Sequence, residues 1–345
     1  MLKKTLLILL VVILVAGGYF LSIMYTTGYF REIESVSFGE VFQEIPLAGA
    51  EDITADYESN IMIISAFDRA ADKRGESPTG GLYLVDLLEQ PFKPVRLSDG
   101  LGSGFHPHGI SLYKLDSGKY QLLVVNHQNG KQTIEQFELT LPDELEHERT
   151  FDDPAIVSPN DVIALDADRF YFTNDHKNTE GLALIAENYL GLALSNTLFF
   201  DGSGFREVAG AIQYANGITI SPDRKDLYVA APRGFKILKY EILEEGYLGE
   251  PETIPAKTGV DNMEWDEDGN LWIGCHPDLL TFSSYAGLKR ATSPSEVLKM
   301  QGDKIETVYM NDGKEVSAST VAVPYKEYLF IGTVMDDKLL VLKRP

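Results

Sequence analysis

The chain has 345 residues, a length that suits one large domain or two ordinary ones. Acidic residues outnumber basic ones by 52 to 30, for a formal net charge of −22, and that balance excludes a nucleic-acid partner, whose phosphates need a basic footprint. Cys275 is the one cysteine, so no intramolecular disulfide can form and stability has to come from the core or from bound metal.

The first segment reads "MLKKTLLILLVVILVAGGYFLSIMYTTGYFR". No charged residue falls between Lys4 and Arg31, and Leu6–Met24 is almost wholly apolar. A helix needs about 20 such residues to cross a bilayer. A cleaved signal peptide has a shorter apolar run and a small-residue cleavage site, for which "VAGG" is a weak candidate. Residues 1–30 therefore read as an uncleaved signal-anchor and residues 31–345 as the folded domain. Lys3 and Lys4 precede the span, while Arg31, Glu32 and Glu34 follow it. The positive-inside bias then puts the folded domain on the non-cytoplasmic side, periplasmic or extracellular.

Beyond the anchor, no long segment keeps a helical period over several turns. Short β-rich runs follow one another instead: "NIMIISA", "YQLLVVNH", "RFYFTND", "DLYVAAP", "NLWIGCH" and "EYLFIGT", separated by Gly, Asp, Asn and Pro turns. Each run is preceded by a polar pair, an alternating strand and a turn. The pairs begin at Glu51, His108, Asn160, Asn216, Asp261 and Ser319, between 45 and 58 residues apart. A repeat of about 50 residues with several strands is the size of a propeller blade. The expected fold is all-β: a six-bladed β-propeller with a central tunnel, preceded by an N-terminal transmembrane helix. Innermost strands of a propeller line its tunnel, so the six pairs would meet around one ring.

The convergent side chains would be Glu51, Asp52, His108, Asn160, Asp161, Asn216, Asp261 and Asn262. Asn-Gly, Asn-Asp and Asp-Asn are each ordinary turn dipeptides; their recurrence at one column of the repeat is what favours a ring. Carboxylate and amide oxygens suit calcium, which takes six to eight oxygen ligands in flexible geometry. Zinc would want His or Cys in a tetrahedral array, and one cysteine with one ring histidine serves it poorly. Glu51 and Asp261 would balance one divalent cation, with Asn160, Asn216 and Asn262 completing the shell. "EWDEDGNLWIGC" imitates the opening of an EF-hand, but its twelfth position is Cys275, and Asp266–Gly269 reads as a hairpin turn. "DGSGF" and "LGSGF" lack the Gly-x-Ser-x-Gly register of a nucleophile elbow, and no phosphate-cradling loop ends in Gly-Lys-Ser/Thr. Cys275 itself, inside "LWIGCHP", reads as a small buried strand residue.

Together "FHPHGIS", "LLVVNH", "PNDVIAL", "YFTNDH", "ANGITISPD", "VDN…DGNLWIGCHP" and "STVA…LFIGTV" resemble the paraoxonase/arylesterase family, in unbroken order from Glu51 to Val334. The resemblance implies a hydrolase of carboxylic esters, lactones and aryl esters, acting on small molecules with two calcium ions (Ca2+) in the tunnel. The catalytic calcium would be held by Glu51, Asn160, Asn216, Asp261 and Asn262, and the structural calcium by Asp52, Asp161 and the backbone carbonyl of Ile110. His108 matches the proposed base and His127 the histidine that orients it. Asp175 and His176 match residues behind the metal shell, and Tyr214 and Phe67 match pocket walls. His106 falls outside the ring column, so "HPH" is not a chelating pair. Two departures stand out. Family members usually close the ring with a disulfide, a role left here to pairing between roughly residues 36–45 and 338–342; and Arg69 stands where a tyrosine is common. The alternative from another class is a non-enzymatic, membrane-tethered propeller that uses calcium for stability and acts as a binding or assembly module. Such a module has no use for Glu51, Asn216, Asp261 and His108 together. The oligomeric state is left open.

Overall fold

The computed structural model describes residues 2–102, 104–128 and 130–345, so that Met1, Ser103 and Asn129 lie outside the described residues. An N-terminal helix, α1 (Leu2–Thr26), carries exposed apolar side chains along its length. Its Lys3–Thr26 stretch is long and apolar enough to cross a membrane. The rest of the chain forms six four-stranded antiparallel sheets, each wound outward from an innermost strand. In chain order the innermost strands are Ala50–Asp56, Pro107–Lys114, Pro159–Ala164, Ile218–Ile220, Gly259–Trp265 and Ser319–Tyr325. They define blades 1 to 6 of a β-propeller. Three short helices sit on its loops: α2 (Arg69–Lys73), α3 (Gly181–Leu190) and α4 (Leu279–Ala286).

The core lies between blades rather than within one. Each of six apolar clusters draws on two neighbouring sheets; one joins Met62, Ile64 and Val85 of blade 1 to Val321, Tyr328 and Phe330 of blade 6. Second strands, sandwiched on both faces, are buried along nearly all of their length, and at every position in Ile61–Phe67 and Leu271–His276. That is why those runs read as continuous apolar stretches rather than alternating ones. The innermost strands pack so closely that a Cβ on Gly217 would lie 2.5 Å from the Asp261 carbonyl oxygen and 2.7 Å from the Asn262 Cα.

The ring closes by strand exchange between chain ends. Glu40–Ile45 pairs antiparallel with Leu339–Lys343 as the outermost strand of blade 6, from Glu40 with Lys343 to Ile45 with Leu339, with a register shift between Val41 and Gln43. A Lys338–Glu44 ion pair flanks the seam. The sequence expectation put the start of this strand at Val36, but Val36 bridges Met310 of blade 5 instead.

One backbone device places the ring. Where the innermost strand of blades 1, 2, 3, 5 and 6 meets the second strand, the register slips at the polar pair, between Ala50 and Asp52, Pro107 and Ile110, Pro159 and Val162, Val260 and Met263, and Ser319 and Val321. Such a bulge sets two residues against one and breaks the strict in–out alternation of a strand. Adjacent residues such as Glu51 and Asp52 can then both serve the tunnel.

Closure without a covalent link makes the seam a weak point. Leu340 is fully buried there, in the cluster of blades 5 and 6, whereas Val41 on the partner strand is 45% exposed. Leu340→Ala should lower unfolding free energy by about 2–5 kcal/mol in urea titrations, and Val41→Ala by roughly 0.5 kcal/mol or less.

Candidate active site

At the mouth of the tunnel a cavity of about 490 Å³ is lined by Glu51, His108, Asn160, Asn216 and Asp261, with His176, Tyr214 and His276 beside them. It falls in the size range of small-molecule sites. A larger, open groove of about 920 Å³ runs between blades 2 and 3, but it contains none of the ring residues.

Hydrogen bonds hold the side chains of Glu51, Asn160, Asp261 and Asn262. Asn262 donates Nδ2 to the Glu51 carbonyl and to Glu51 Oε1, both at 3.2 Å, and Asn160 donates Nδ2 to Asp175 Oδ2 at 3.3 Å. Glu51 Oε2 and the Oδ1 atoms of Asn160, Asn216 and Asn262 are all buried, and none has a hydrogen-bond donor. Buried oxygens without donors are expensive, and these four come from blades 1, 3, 4 and 5. Asp261 accepts from His276 Nε2 at 2.7 Å through Oδ2, and His276 stacks on Phe282 of α4 at 3.8 Å between ring centroids. Among the described residues no close group of three or more His, Cys, Asp or Glu side chains has metal-site spacing. The donor set is instead two carboxylates and three amides. Oxygen donors of that kind fit calcium.

The histidines form a relay beside this shell. His108 Nε2 lies 3.1 Å from Glu51 Oε1, and His108 Nδ1 lies 2.6 Å from His127 Nε2. His127 Nδ1 faces the side-chain oxygen of Gln132, and its backbone N–H reaches the His106 carbonyl at 3.0 Å. Burial, then the charge of His108, pushes the His127 pKa down to about 3, so His127 stays neutral. Its one ring proton belongs on Nδ1, facing Gln132, which leaves Nε2 to accept the proton of His108 Nδ1. The other nitrogen of His108, Nε2, is the one that faces Glu51. Burial tends to raise the Glu51 pKa, but the adjacent His108, with Arg69, outweighs it and holds the carboxyl below its ordinary value.

Asp52 and Asp161 sit one residue deeper and are fully engaged with backbone. Asp52 accepts from the N–H groups of Ile53 at 2.9 Å and Ile110 at 2.8 Å. Asp161 accepts from Val162 and Ile218, both at 2.7 Å. Each carboxylate thus ties its blade to the next. Desolvation, with nearby carboxylates, raises both pKa values well above the ordinary range.

Asp175 and His176 stand behind Asn160. Asp175 Oδ1 accepts from Ser158 Oγ at 2.5 Å and His176 Nδ1 at 2.7 Å, while His176 Nε2 meets Asn188 Oδ1 of α3 at 2.9 Å. Tyr214, in the left-handed region at φ 66°, packs edge-on against His176 and lines the cavity. Phe67 is placed differently from the sequence expectation. It is buried and stacked on His106 at 4.1 Å, behind the cavity wall.

Several contributors to the mouth were not singled out from sequence. His276 closes the second strand of blade 5, as His127 ends "LLVVNH" and His176 follows "YFTN". That shared strand-end position was the available signal. Ile23 and Thr27, at the end of α1, and Leu279, Leu280 and Phe282 of α4 also line the cavity. The first pair was hidden inside what reads as a bilayer span.

Comparison with known proteins agrees with this geometry. The arylesterase family model matches residues 71–341. Serum paraoxonase/arylesterase 1 of Homo sapiens is 36% identical over 273 residues, covering 75% of this chain and 76% of that protein. Serum paraoxonase/arylesterase 2 of Rattus norvegicus is 32% identical over 341 residues, covering 94% of each. Among solved structures, a luciferin-regenerating enzyme superposes with a TM-score of 0.54 over 90% of this chain and 94% of its own, at 11% identity, a likeness of fold alone. Matched along most of the propeller by the family model and nearly end to end by a curated relative, this chain belongs to the arylesterase family.

Proposed function

We propose that the tunnel mouth hydrolyses carboxylic esters, lactones and aryl esters with a calcium ion in the shell of Glu51, Asn160, Asn216, Asp261 and Asn262 and with His108 as the base. Its family makes the chain an ester hydrolase. The observation that carries the site assignment is the set of four buried, donorless oxygens beside a histidine whose far nitrogen is held by a second one. When bound, calcium supplies an electrophile for a carbonyl oxygen and stabilises the negative charge that develops there.

The chain's own groups do the rest. His127, fixed as the neutral acceptor, keeps the His108 proton on Nδ1, so that Nε2 can take a proton from the attacking water. The imidazolium so formed lies 3.1 Å from Glu51 Oε1, which stabilises it until the proton passes to the departing alkoxide or phenoxide. His276 orients Asp261, and Asp175 orients Asn160 and His176. Tyr214 narrows the cavity against the substrate. We assign Asp52, Asp161 and the Ile110 carbonyl to a second, structural calcium; the support is two buried carboxylates whose charges oppose one another across the tunnel.

For the N-terminus we propose an uncleaved anchor over residues 1–30 and a hydrolase domain over 31–345 on the non-cytoplasmic side. The helix end is joined to the domain. Thr27 is buried and its carbonyl accepts from Leu279 N–H at 2.9 Å, and Arg31 is bidentate to the buried Glu296 at 2.7 and 2.6 Å. Ile23 and Thr27 also form part of one wall of the cavity.

His108→Gln should lower kcat/KM for lactones and phenyl acetate by roughly 10²–10⁴-fold while the melting temperature stays near that of wild type. Full lactone turnover in that variant would remove His108 as the base. Asn216→Ala should lower activity chiefly and Asp161→Ala stability chiefly, read by turnover and thermal melts side by side. Chelation should abolish turnover and lower the melting temperature, with calcium restoring both better than zinc. The size of the chelation effect should depend on pH. In metal-free protein the raised Asp52 and Asp161 pKa values favour the fold while those groups are protonated, and that stability is lost as pH rises through the folded-state values. Calcium competes with protons for the same oxygens. The melting-temperature drop on chelation should therefore be larger at pH 8 than at pH 5.

A further inference from the structure

The His127 ring meets His108 on one side and Gln132 on the other. His127 and Gln132 sit on one hairpin, formed by the second and third strands of blade 2, Tyr120–Gln128 and Lys131–Thr140. Its register runs without a slip from Tyr120 opposite Leu139 to Gln128 opposite Lys131, and Gly130 in the turn has φ 82°. His127 therefore stands directly across the hairpin from Gln132. Cross-strand partners share a face of the sheet, and a slip of one residue would turn Gln132 to the opposite face. The register thus brings the side-chain oxygen of Gln132 to His127 Nδ1. The cavity wall includes His108 but neither His127 nor Gln132 among the described residues.

A row of hydrogen-bonded rings can carry its protons in either of two directions. In the first, His127 Nδ1–H donates to Gln132 Oε1, His127 Nε2 accepts from His108 Nδ1–H, and His108 Nε2 keeps its lone pair. In the second, the Gln132 amide would turn and donate to His127 Nδ1. His127 Nε2–H would then donate to His108 Nδ1, and His108 Nε2–H to Glu51 Oε1. Only the first direction leaves His108 a base.

The two ends of the row pull against each other. Glu51 Oε1, 3.1 Å from His108 Nε2, belongs to a carboxyl held below its ordinary pKa; it accepts only, and so favours the second direction. Gln132 presents its oxygen and favours the first. His127 cannot satisfy both ends by taking a second proton, because burial pushes its pKa down to about 3. We propose that Gln132 is a positioning residue: by accepting from His127 Nδ1 it sets the direction of the relay and keeps His108 Nε2 able to take a proton from water, against the pull of Glu51. This rests on the reading of His108 as the base in ester hydrolysis. In an acyl-transfer triad the wrong tautomer costs kcat roughly 10⁴-fold with the geometry intact, so a group that never touches substrate can govern turnover.

The test uses the full chain in detergent micelles with calcium, and phenyl acetate and a lactone as substrates. Gln132→Met removes the acceptor and should lower kcat roughly 10-fold, with KM little changed because the side chain lies outside the cavity wall. Gln132→Lys replaces the acceptor by an ammonium, which only donates, and should lower kcat by roughly 10²–10⁴-fold, as loss of the base would. Gln132→Glu, similar in shape and able only to accept when ionised, should recover most of what Gln132→Met loses. A merely structural role would instead rank the variants by melting temperature, with the two charged ones falling together. The direction of the relay is read without turnover from the imidazole nitrogen NMR shifts, which separate protonated from unprotonated ring nitrogens. The chain has six histidines, and the spectrum of His127→Gln assigns the signals of His127. Wild type should show His127 protonated at Nδ1, and Gln132→Lys should show it protonated at Nε2. Protonation at Nε2 in wild type, or wild-type kcat in Gln132→Lys, would overturn the assignment. A His127 tautomer that follows residue 132 in a protein that hydrolyses neither substrate would sustain it and remove the hydrolase reading instead.

Discussion

Four oxygens that no donor reaches hold the design together. In an apolar interior each would be a net loss, since a polar atom taken from water has to find a partner inside. The chain accepts this in blades 1, 3, 4 and 5 at one height of the tunnel, and it anchors the amides of Asn160 and Asn262 by their nitrogens so that the oxygens cannot turn away. The recurrent bulge makes the arrangement possible. Without the extra residue, a strand that showed Glu51 to the tunnel would turn Asp52 into the space between blades. With it, consecutive side chains divide the labour: the outer member of each pair faces the mouth, and Asp52 and Asp161 bind the backbone of the next blade.

The repeat was legible because propeller geometry converts a sequence column into a spatial ring. Glu51, His108, Asn160, Asn216 and Asp261 are far apart in the chain, but each precedes a strongly apolar strand by a similar distance, and that spacing survives without any knowledge of side-chain direction. Contacts beside the ring column leave a fainter trace. His276 bonds Asp261 from the end of the neighbouring strand, and Phe67 turns to stack on His106 instead of facing the cavity. Both outcomes depend on rotamers and packing, which a column of residue types does not encode. The start of the closing strand was misread for a related reason. Residues before Glu40 have β character, but Val36 finds its partner in Met310 of blade 5.

Burial sets the charge of the tunnel carboxylates unevenly. At the mouth, His108 and Arg69 outweigh burial and hold Glu51 below its ordinary pKa, whereas burial raises that of Asp261 despite its bond to His276. Burial also raises Asp52 and Asp161 well above the ordinary range, with Asp161 adding to the shift of Asp52, and Glu264, which accepts from Ala55 N–H and Thr54 Oγ1 at 3.1 Å, is pushed up to about 7 by burial. A buried carboxylate without a cationic partner favours its protonated form.

The two ends of the chain meet this centre from different directions. The closing strand, Glu40–Ile45, completes blade 6, whereas the segment just before it is tied to blade 5 through Val36–Met310 and Arg31–Glu296. Glu296 is fully buried, and Thr307 Oγ1 donates to the same carboxylate at 2.8 Å, so losing Arg31 would leave a buried charge short of its partner. The end of α1 is thus a fixed part of the propeller wall. Because Thr27 and Ile23 line the cavity from that end, any movement of the helix relative to the propeller is felt at the tunnel mouth. The seat of α1 and the shape of the mouth are linked through a docked turn rather than a flexible linker.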